Sequence, residues 1–395
     1  MNNDKPILLF RGDPDVCYGI LRLFSDELYA ALSEQGEEVI YHDAKNESPE
    51  KYAGNEYKAI VGFMDMIFLN KEVGLKEHLL DRIYGPKIEY WPDHPAVFYR
   101  TFHCRPGDYH ILAPDNNYVS YINRYYHGVR AFYFPPAGCI KGKLKPFSER
   151  EYGISFVGTY DDWHKSLVIM ENVDDQTYAI EKKYLDVLVS CPELTAEDAL
   201  EEIMNEMGLK FSETEFVQAM SQLQRLASAG VSKFYRQEMI QHLLDRGLDI
   251  DVFGDSWREA PFADHRLLHI HPKVSADRME DIYLNSRISL NMMTWHKDAI
   301  TERVLDSMLA GCIAVSDETA ALKQGFIYND GENDDIAELL LYSLKDLESL
   351  PGILQNHMDD EALAARGREK ALKYHTWKNR AKLLLEIIDE INRGG

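Results

Sequence analysis

Residues Asp298–Val315 read DAITERVLDSMLAGCIAV, and the fold is decided there. Thr301 is a residue type that starts helices, because its hydroxyl can accept from an otherwise free backbone amide. Val304, Leu305, Met308 and Leu309 recur at the spacing of one helical face. Glu302, Arg303 and Asp306 fall on the opposite side, with Glu302 and Asp306 one turn apart. Gly311 ends the helix, and the apolar run Ile313–Val315 follows as a buried strand. Helix, tight glycine and buried strand form the repeating unit of a parallel α/β sheet. Taken alone, the segment is also compatible with an amphipathic helix carrying an exposed ion pair.

The same unit recurs on both sides. Ile154–Val157 stops at Gly158-Thr159, Asp249–Phe253 at Gly254, and Leu267–Ile270 at His271-Pro272. Ile288–Met292 stops at Met293-Thr294, and Ile313–Val315 at Ser316-Asp317. Helices are predicted at about 231–246, 276–286, 301–310 and 318–324. The first part of the chain repeats the theme. Pro6–Phe10, Glu38–Tyr41, Ala59–Phe63, Lys87–Trp91, His110–Ala113 and Ala131–Phe134 read as short strands, with a helical period over Gly19–Leu32. A Lys/Gly/Pro-rich stretch at Lys141–Pro146 separates the two series. Two tandem α/β domains are therefore expected, 1–145 and 150–375, with a terminal helix over 376–395. The strand rhythm is interrupted at about 172–230. There Thr195-x-x-Asp198 and Ser212-x-x-Glu215 are capping-box patterns, so a helical insertion in the second domain is expected. Residues 171–215 hold 13 acids against three bases. That excess fits a solvated helix face or a docking surface for a basic partner.

Composition narrows the function. The 395 residues are 45% hydrophobic and 28% charged, as in ordinary globular domains, and long enough for two cores. No run of 18 apolar residues is present, so a spanning helix is not expected. The start, MNNDKPILLF, lacks the pattern of a secretory signal. Five cysteines without CxxC or Cys/His ligand spacing fit reduced thiols and no zinc site, hence a cytoplasmic protein. The net charge of −23 repels nucleic acid and anionic membranes.

Several of these segments together carry a resemblance. Tyr283-x-x-Ser286-Arg287-Ile-Ser-Leu-Asn291, followed by Glu302-Arg303-Val-Leu-Asp306-Ser-Met-Leu-Ala-Gly311-Cys-Ile-Ala-Val, resembles the donor domain of GT-B glycosyltransferases, most of all the spore-maturation CgeB-type branch. Ile-Ser-Phe-Val-Gly158-Thr159, Asp-Val-Phe-Gly254-Asp-Ser-Trp257 and the terminal Tyr374-His375-Thr376-Trp377 are similar to the same branch. So, loosely, are Trp91-x-Asp93-His94-Pro95 and Phe134-Pro135-Pro136-Ala137. The likeness covers about 150–176 and 230–390 and leaves the insertion unmatched. It implies two Rossmann-like domains facing across a cleft. An acceptor-side domain would come first, a nucleotide-sugar donor domain second, and the C-terminal helix would cross back to the first. It also implies sugar transfer in surface polysaccharide, glycolipid or glycoprotein assembly. In that family the acid at the Asp306 position holds the donor ribose. Here it is Asp where the usual residue is Glu, and Asp298 stands where the retaining pattern has a second Glu, so retaining and inverting chemistry both remain open.

Ligands of parallel α/β domains bind beyond the carboxyl ends of the strands. Breaking a sugar–diphosphate bond builds negative charge on the leaving phosphate, so the site needs cations or oriented amides. Arg303, Lys165, Arg287, Lys297 and the amides at Gly158-Thr159 and Thr301 are the candidates, with Arg303 and the Thr301 helix start preferred. Gly158 and Gly254 let backbone approach a ligand. Trp257, Trp295 and Tyr283 offer flat faces for a base or sugar, or pack in the core. Such side chains make an essential metal or cofactor unnecessary, and Asp161-Asp162 are adjacent carboxylates that point apart. An inverting enzyme needs a base beside the acceptor hydroxyl. Asp93, His94 and Asp13 follow strands of the first domain and could serve, or could simply form turns. Two other functions fit the same architecture less well. One is another enzyme of nucleotide sugars, an epimerase or phosphorylase. The other is a degenerate GT-B domain that binds a sugar or a protein.

Overall fold

The computed structural model describes residues 5–64, 68 and 77–394. The chain is α/β and divides into two compact units. One is Met1–Cys139 with Ser275–Asp277 and Tyr374–Gly395, and the other is Ile140–Val274 with Arg278–Lys373.

The first unit holds six parallel strands in the order β2-β1-β3-β4-β5-β6. They are β1 (Ile7–Phe10), β2 (Val39–His42), β3 (Ala59–Phe63), β4 (Lys87–Tyr90), β5 (Tyr109–Ala113) and β6 (Arg130–Tyr133). β1, β3, β4 and β5 are buried throughout; β1 and β3 read as apolar runs, whereas β4 and β5 bury Lys87, Glu89 and His110 as well. On one face, Ile7, Leu9, Val61, Phe63 and Tyr90 pack against the helices Ile20–Glu34 and Trp377–Gly394. Trp377 lies against Phe24 and Phe63. In the same C-terminal helix, buried Arg380 donates to the carbonyls of Pro135 and Pro136 at 2.7 and 3.1 Å. The terminal helix is thus an integral layer of this unit.

The second unit has a matching sheet in the order β12-β11-β10-β7-β8-β9, again parallel. Its strands are β7 (Tyr152–Val157), β8 (Ile250–Phe253), β9 (Leu268–His271), β10 (Ser286–Asn291), β11 (Ile313–Asp317) and β12 (Leu340–Tyr342). This is the doubly wound order, and strand direction of travel reverses between β7 and β10. Most expected elements appear within a residue or two of their predicted ends. Asp317 is a correction, because it ends β11 as a buried strand residue rather than lying in the loop beyond.

Between β7 and β8 stand the helices Asp175–Ser190, Ala196–Met207 and Glu213–Arg225. A π-helical turn, Leu226–Val231, joins the last of them to Ser232–Asp245. Ser212 and Glu215 form the reciprocal capping box. At the other expected box only one half forms: the Thr195 hydroxyl accepts from the Asp198 amide at 3.0 Å. Tyr184, Leu188, Leu200, Ile203, Phe216 and Met220 are buried inward and the acids lie on the outer faces, except Glu181, which is buried.

Candidate functional site

In the second unit the carboxyl ends of β7 and β10 flank the switch point, where an open sheet of this order binds its ligand. Gly158 follows β7 and Gly254 follows β8, and the two loops touch. A Cβ on Gly254 would lie 2.9 Å from the Gly158 carbonyl oxygen, so only glycine allows this approach. Trp257 fixes the arrangement by donating its indole N–H to that same carbonyl at 2.7 Å. It is fully buried against Phe156, Tyr160 and Phe262. Trp257 is therefore a brace beneath the Gly158 loop and not a free face for a base, which corrects its expected role. The Thr159 carbonyl accepts from the Arg236 guanidinium at 2.6 Å. Arg236 escaped the sequence reading because it lies 77 positions from Thr159. Lys165 lies on the surface, 3.5 Å from the Glu259 carboxylate. Asp161 pairs with Lys233 and Asp162 caps His164, so the two adjacent carboxylates are engaged separately.

The loop between β10 and the helix Glu302–Leu309 forms the other half of this edge. Thr301 occupies the helix start with extended backbone (φ −93°, ψ 154°), but its hydroxyl makes no capping bond. Thr301 is the N-cap by position, as expected, but without the side-chain bond. The buried Oγ1 of Thr301 instead finds no hydrogen-bond partner among the described residues. The same holds for Asn291 Oδ1, Thr294 Oγ1, Ser256 Oγ, Tyr283 OH and Arg303 Nη1. A buried polar atom left unpaired costs about 1–3 kcal/mol, and such groups gather where a ligand completes them. Asn291, Thr294, Ser256 and Thr301 all lie at strand ends or helix starts on the carboxyl edge of this sheet.

On the helix Glu302–Leu309, Asp306 is buried at 3% exposure together with Ser307, so the expectation of an exposed acidic side is corrected. The reason is a second packing partner. Tyr283 from the helix Met279–Leu284 lies beside it, and the charges of Asp306, Arg303 and Glu302 all act on the Tyr283 hydroxyl. Burial, first, and Asp306, second, push that phenol well above its ordinary value. Tyr283 is itself buried rather than an open stacking face. Arg303 remains partly exposed, 3.8 Å from Glu302. Gly311 closes the helix at φ 69°.

The loop before this helix is tied to β11 and to the start of the following helix. Asp317 accepts the Met293 amide at 2.9 Å, Thr319 donates to the Ala299 carbonyl at 2.7 Å, and the Ala320 amide donates to the Lys297 carbonyl at 2.9 Å. Burial pushes the Asp317 carboxyl up to about 6, opposed by the Met293 amide and by Lys297. Lys297 itself places its ammonium on the carbonyls of Thr294 and Pro192. Arg287 points away from this edge, bonding the Phe147 carbonyl and pairing with Asp359.

The first-unit candidates separate by environment. Asp13 pairs with Lys45 at 2.6 Å and accepts the Asp15 amide at 2.8 Å. Although burial opposes it, these bonds hold the carboxyl below its usual range. His94 is buried between Tyr118 and Tyr121, and its Nδ1 accepts the Ala96 amide at 3.1 Å. It is a helix-capping residue in this structure. Asp93, next to it, is half-buried. Among the described residues, no group of three or more His, Cys, Asp or Glu is placed to hold a metal ion.

Comparison with known proteins agrees with this geometry. Residues 236–386 match a family model described as glycosyl transferase-like. No curated protein sequence matches the chain. Among solved structures, sucrose-phosphate synthase from Thermosynechococcus elongatus superposes with a TM-score of 0.53 at 10% identity, covering 99% of this chain and 100% of that one. The DNA-modifying enzyme β-glucosyltransferase gives 0.52 at 10% identity, covering 98% and 99%. An α-glucosyltransferase solved with UDP and a 13-mer DNA gives 0.52 at 15% identity, again covering 98% and 99%. The fold is thus the GT-B architecture over nearly the whole chain, and with the family match it supports a glycosyltransferase enzyme.

Proposed function

We propose that this protein transfers a sugar from a nucleotide-sugar donor to a hydroxyl acceptor. The observation that carries the reading is the set of buried, unpaired polar atoms of Ser256, Asn291, Thr294 and Thr301 on the carboxyl edge of the second sheet, beside Arg303. The donor diphosphate would lie at the Gly158-Thr159 turn and the start of the helix Glu302–Leu309, where helix amides and Arg303 offset its charge. Asp306, buried near Tyr283, would accept from the ribose hydroxyls. As the glycosidic bond lengthens, charge moves onto the leaving phosphate, and Arg303 stabilises it more in the transition state than in the ground state. Cationic side chains then do the work of a divalent ion, so transfer would be metal-independent.

A CgeB-type role in surface polysaccharide, glycolipid or glycoprotein assembly, inside the cell, fits the motif likeness. The α-glucosyltransferase named above was solved in complex with DNA, a polyanion. The net charge of −23 here favours a sugar, lipid-linked or protein acceptor over DNA. The test is thermal unfolding with UDP, GDP, ADP, dTDP and their sugar conjugates, with and without EDTA, followed by donor-hydrolysis assays. A ligand at ~100 times its Kd adds about 2.7 kcal/mol. A selective shift by one diphosphate that survives EDTA supports the proposal. Binding without any turnover of its sugar conjugate would support the degenerate binding module instead.

A further inference from the structure

The helical insertion meets the donor edge at the carboxyl end of its first helix. That helix, Asp175–Ser190, runs out at Cys191-Pro192-Glu193, and three side chains from separate elements fasten this end. Tyr235 of the helix Ser232–Asp245 bonds the Val189 carbonyl. Lys345, beyond β12, pairs with Glu193. Lys297, in the loop between β10 and Glu302–Leu309, donates to the Pro192 carbonyl and also to the Thr294 carbonyl.

Lys297 therefore serves two backbones with one ammonium. Its own carbonyl is held by the Ala320 amide at 2.9 Å, so its main chain is anchored and its side chain reaches backwards over Thr294 and outwards to the insertion. Lys297 is half-buried, and Asp317 and Glu193 lie within its electrostatic reach. Elsewhere the loop is tied at Met293 through Asp317 and at Ala299 through Thr319. Thr294 falls between these ties, and its buried hydroxyl is one of the unpaired atoms of the candidate donor site.

We propose that Lys297 is a positioning residue, and that through it the acidic insertion sets the conformation of the 293–297 loop and hence donor affinity. This rests on the donor-site reading above. The insertion is then a brace of the donor site, joined to it by the Pro192–Lys297–Thr294 bridge. Lys297 acts on the loop and touches no reacting atom. Its loss is expected to weaken donor binding while leaving the bond-breaking step nearly intact.

The experiment compares wild type with Lys297→Met and Lys297→Arg in the full chain. Hydrogen exchange is read first without ligand. Lys297→Met is expected to speed exchange of amides at 293–297 and 191–194 about tenfold, leaving the Glu302–Leu309 helix unchanged, while Lys297→Arg restores much of the protection. Unchanged exchange at 293–297 overturns the proposal. The second readout is steady-state transfer or hydrolysis with whichever nucleotide sugar wild type turns over. Lys297→Met should raise donor KM about tenfold with kcat within about twofold, the pattern of lost ground-state positioning. A fall in kcat at constant KM, or no change in either, overturns it. If wild type binds no nucleoside diphosphate and turns over no sugar nucleotide, the donor-site reading fails and the claim about donor affinity falls with it. The exchange data then decide the bridge alone.

Discussion

Trp257 and Gly158, 99 positions apart, are joined by a 2.7 Å bond from the indole N–H to the glycine carbonyl. The bond sits at the point where β7 turns toward its ligand edge. Trp257→Phe keeps an aromatic ring but removes the donor, leaving a buried carbonyl unpaired and a gap in the core. The expected loss is about 3 kcal/mol. Chemical denaturation should show a lower midpoint at unchanged slope. A variant as stable as wild type would mean that the Gly158 loop needs no brace.

Asp317 gives the protein a pH signature. Its folded pKa of about 6 lies above the ordinary carboxylate value of 3.8, because burial favours the neutral acid. The stability it contributes is present below about pH 4 and is lost as pH rises through 6. Asp317→Asn keeps an oxygen for the Met293 amide and removes the charge. It should stabilise the protein by about 2 kcal/mol at pH 8 and by almost nothing at pH 4. Urea unfolding at the two pH values checks this, and an equal effect at both would exclude titration of Asp317 as the cause.

The contrast between these residues shows what the sequence could reveal. Strands such as Ile7–Phe10 and Ala59–Phe63 are short apolar runs, and local pattern suffices to find them. The carboxyl edge follows, since strand ends can be read directly. Which side chains meet there depends on distant packing. Asp306 reads as exposed from its helical position, yet it is buried, with Tyr283 of a separate helix near enough to feel its charge. Trp257 reads as an available face until its N–H is seen on Gly158. The bridge from Lys297 to Pro192 spans 105 positions and has no local signature at all.

The cysteines should divide sharply by reactivity. Cys17 and Cys104 are exposed, whereas Cys312 is buried and donates its thiol to the Tyr283 carbonyl at 2.9 Å. Burial pushes the Cys312 thiol up to about 12, so almost no thiolate forms at pH 8. A disulfide reagent at that pH should label Cys17 and Cys104 rapidly and Cys312 only after denaturation. Fast labelling of Cys312 in the native protein would show that the Tyr283–Asp306 layer opens readily.

Arg303 and Asp306 share one helix and are expected to fail differently. Arg303 has a buried Nη1 with no hydrogen-bond partner among the described residues, which fits a group completed by an anion. If it stabilises charge on the leaving phosphate, Arg303→Met should lower kcat/KM by about a hundredfold, most of it in kcat, with Tm nearly unchanged. Arg303→Lys should recover part of the loss, since a point charge replaces a two-pronged donor. Asp306→Asn keeps the buried volume and removes only the charge, so it should raise donor KM about tenfold with a smaller change in kcat. Both acting on KM alone would move Arg303 out of the reacting zone and make the helix a binding element only. Neither acting at all would place the donor elsewhere on the chain.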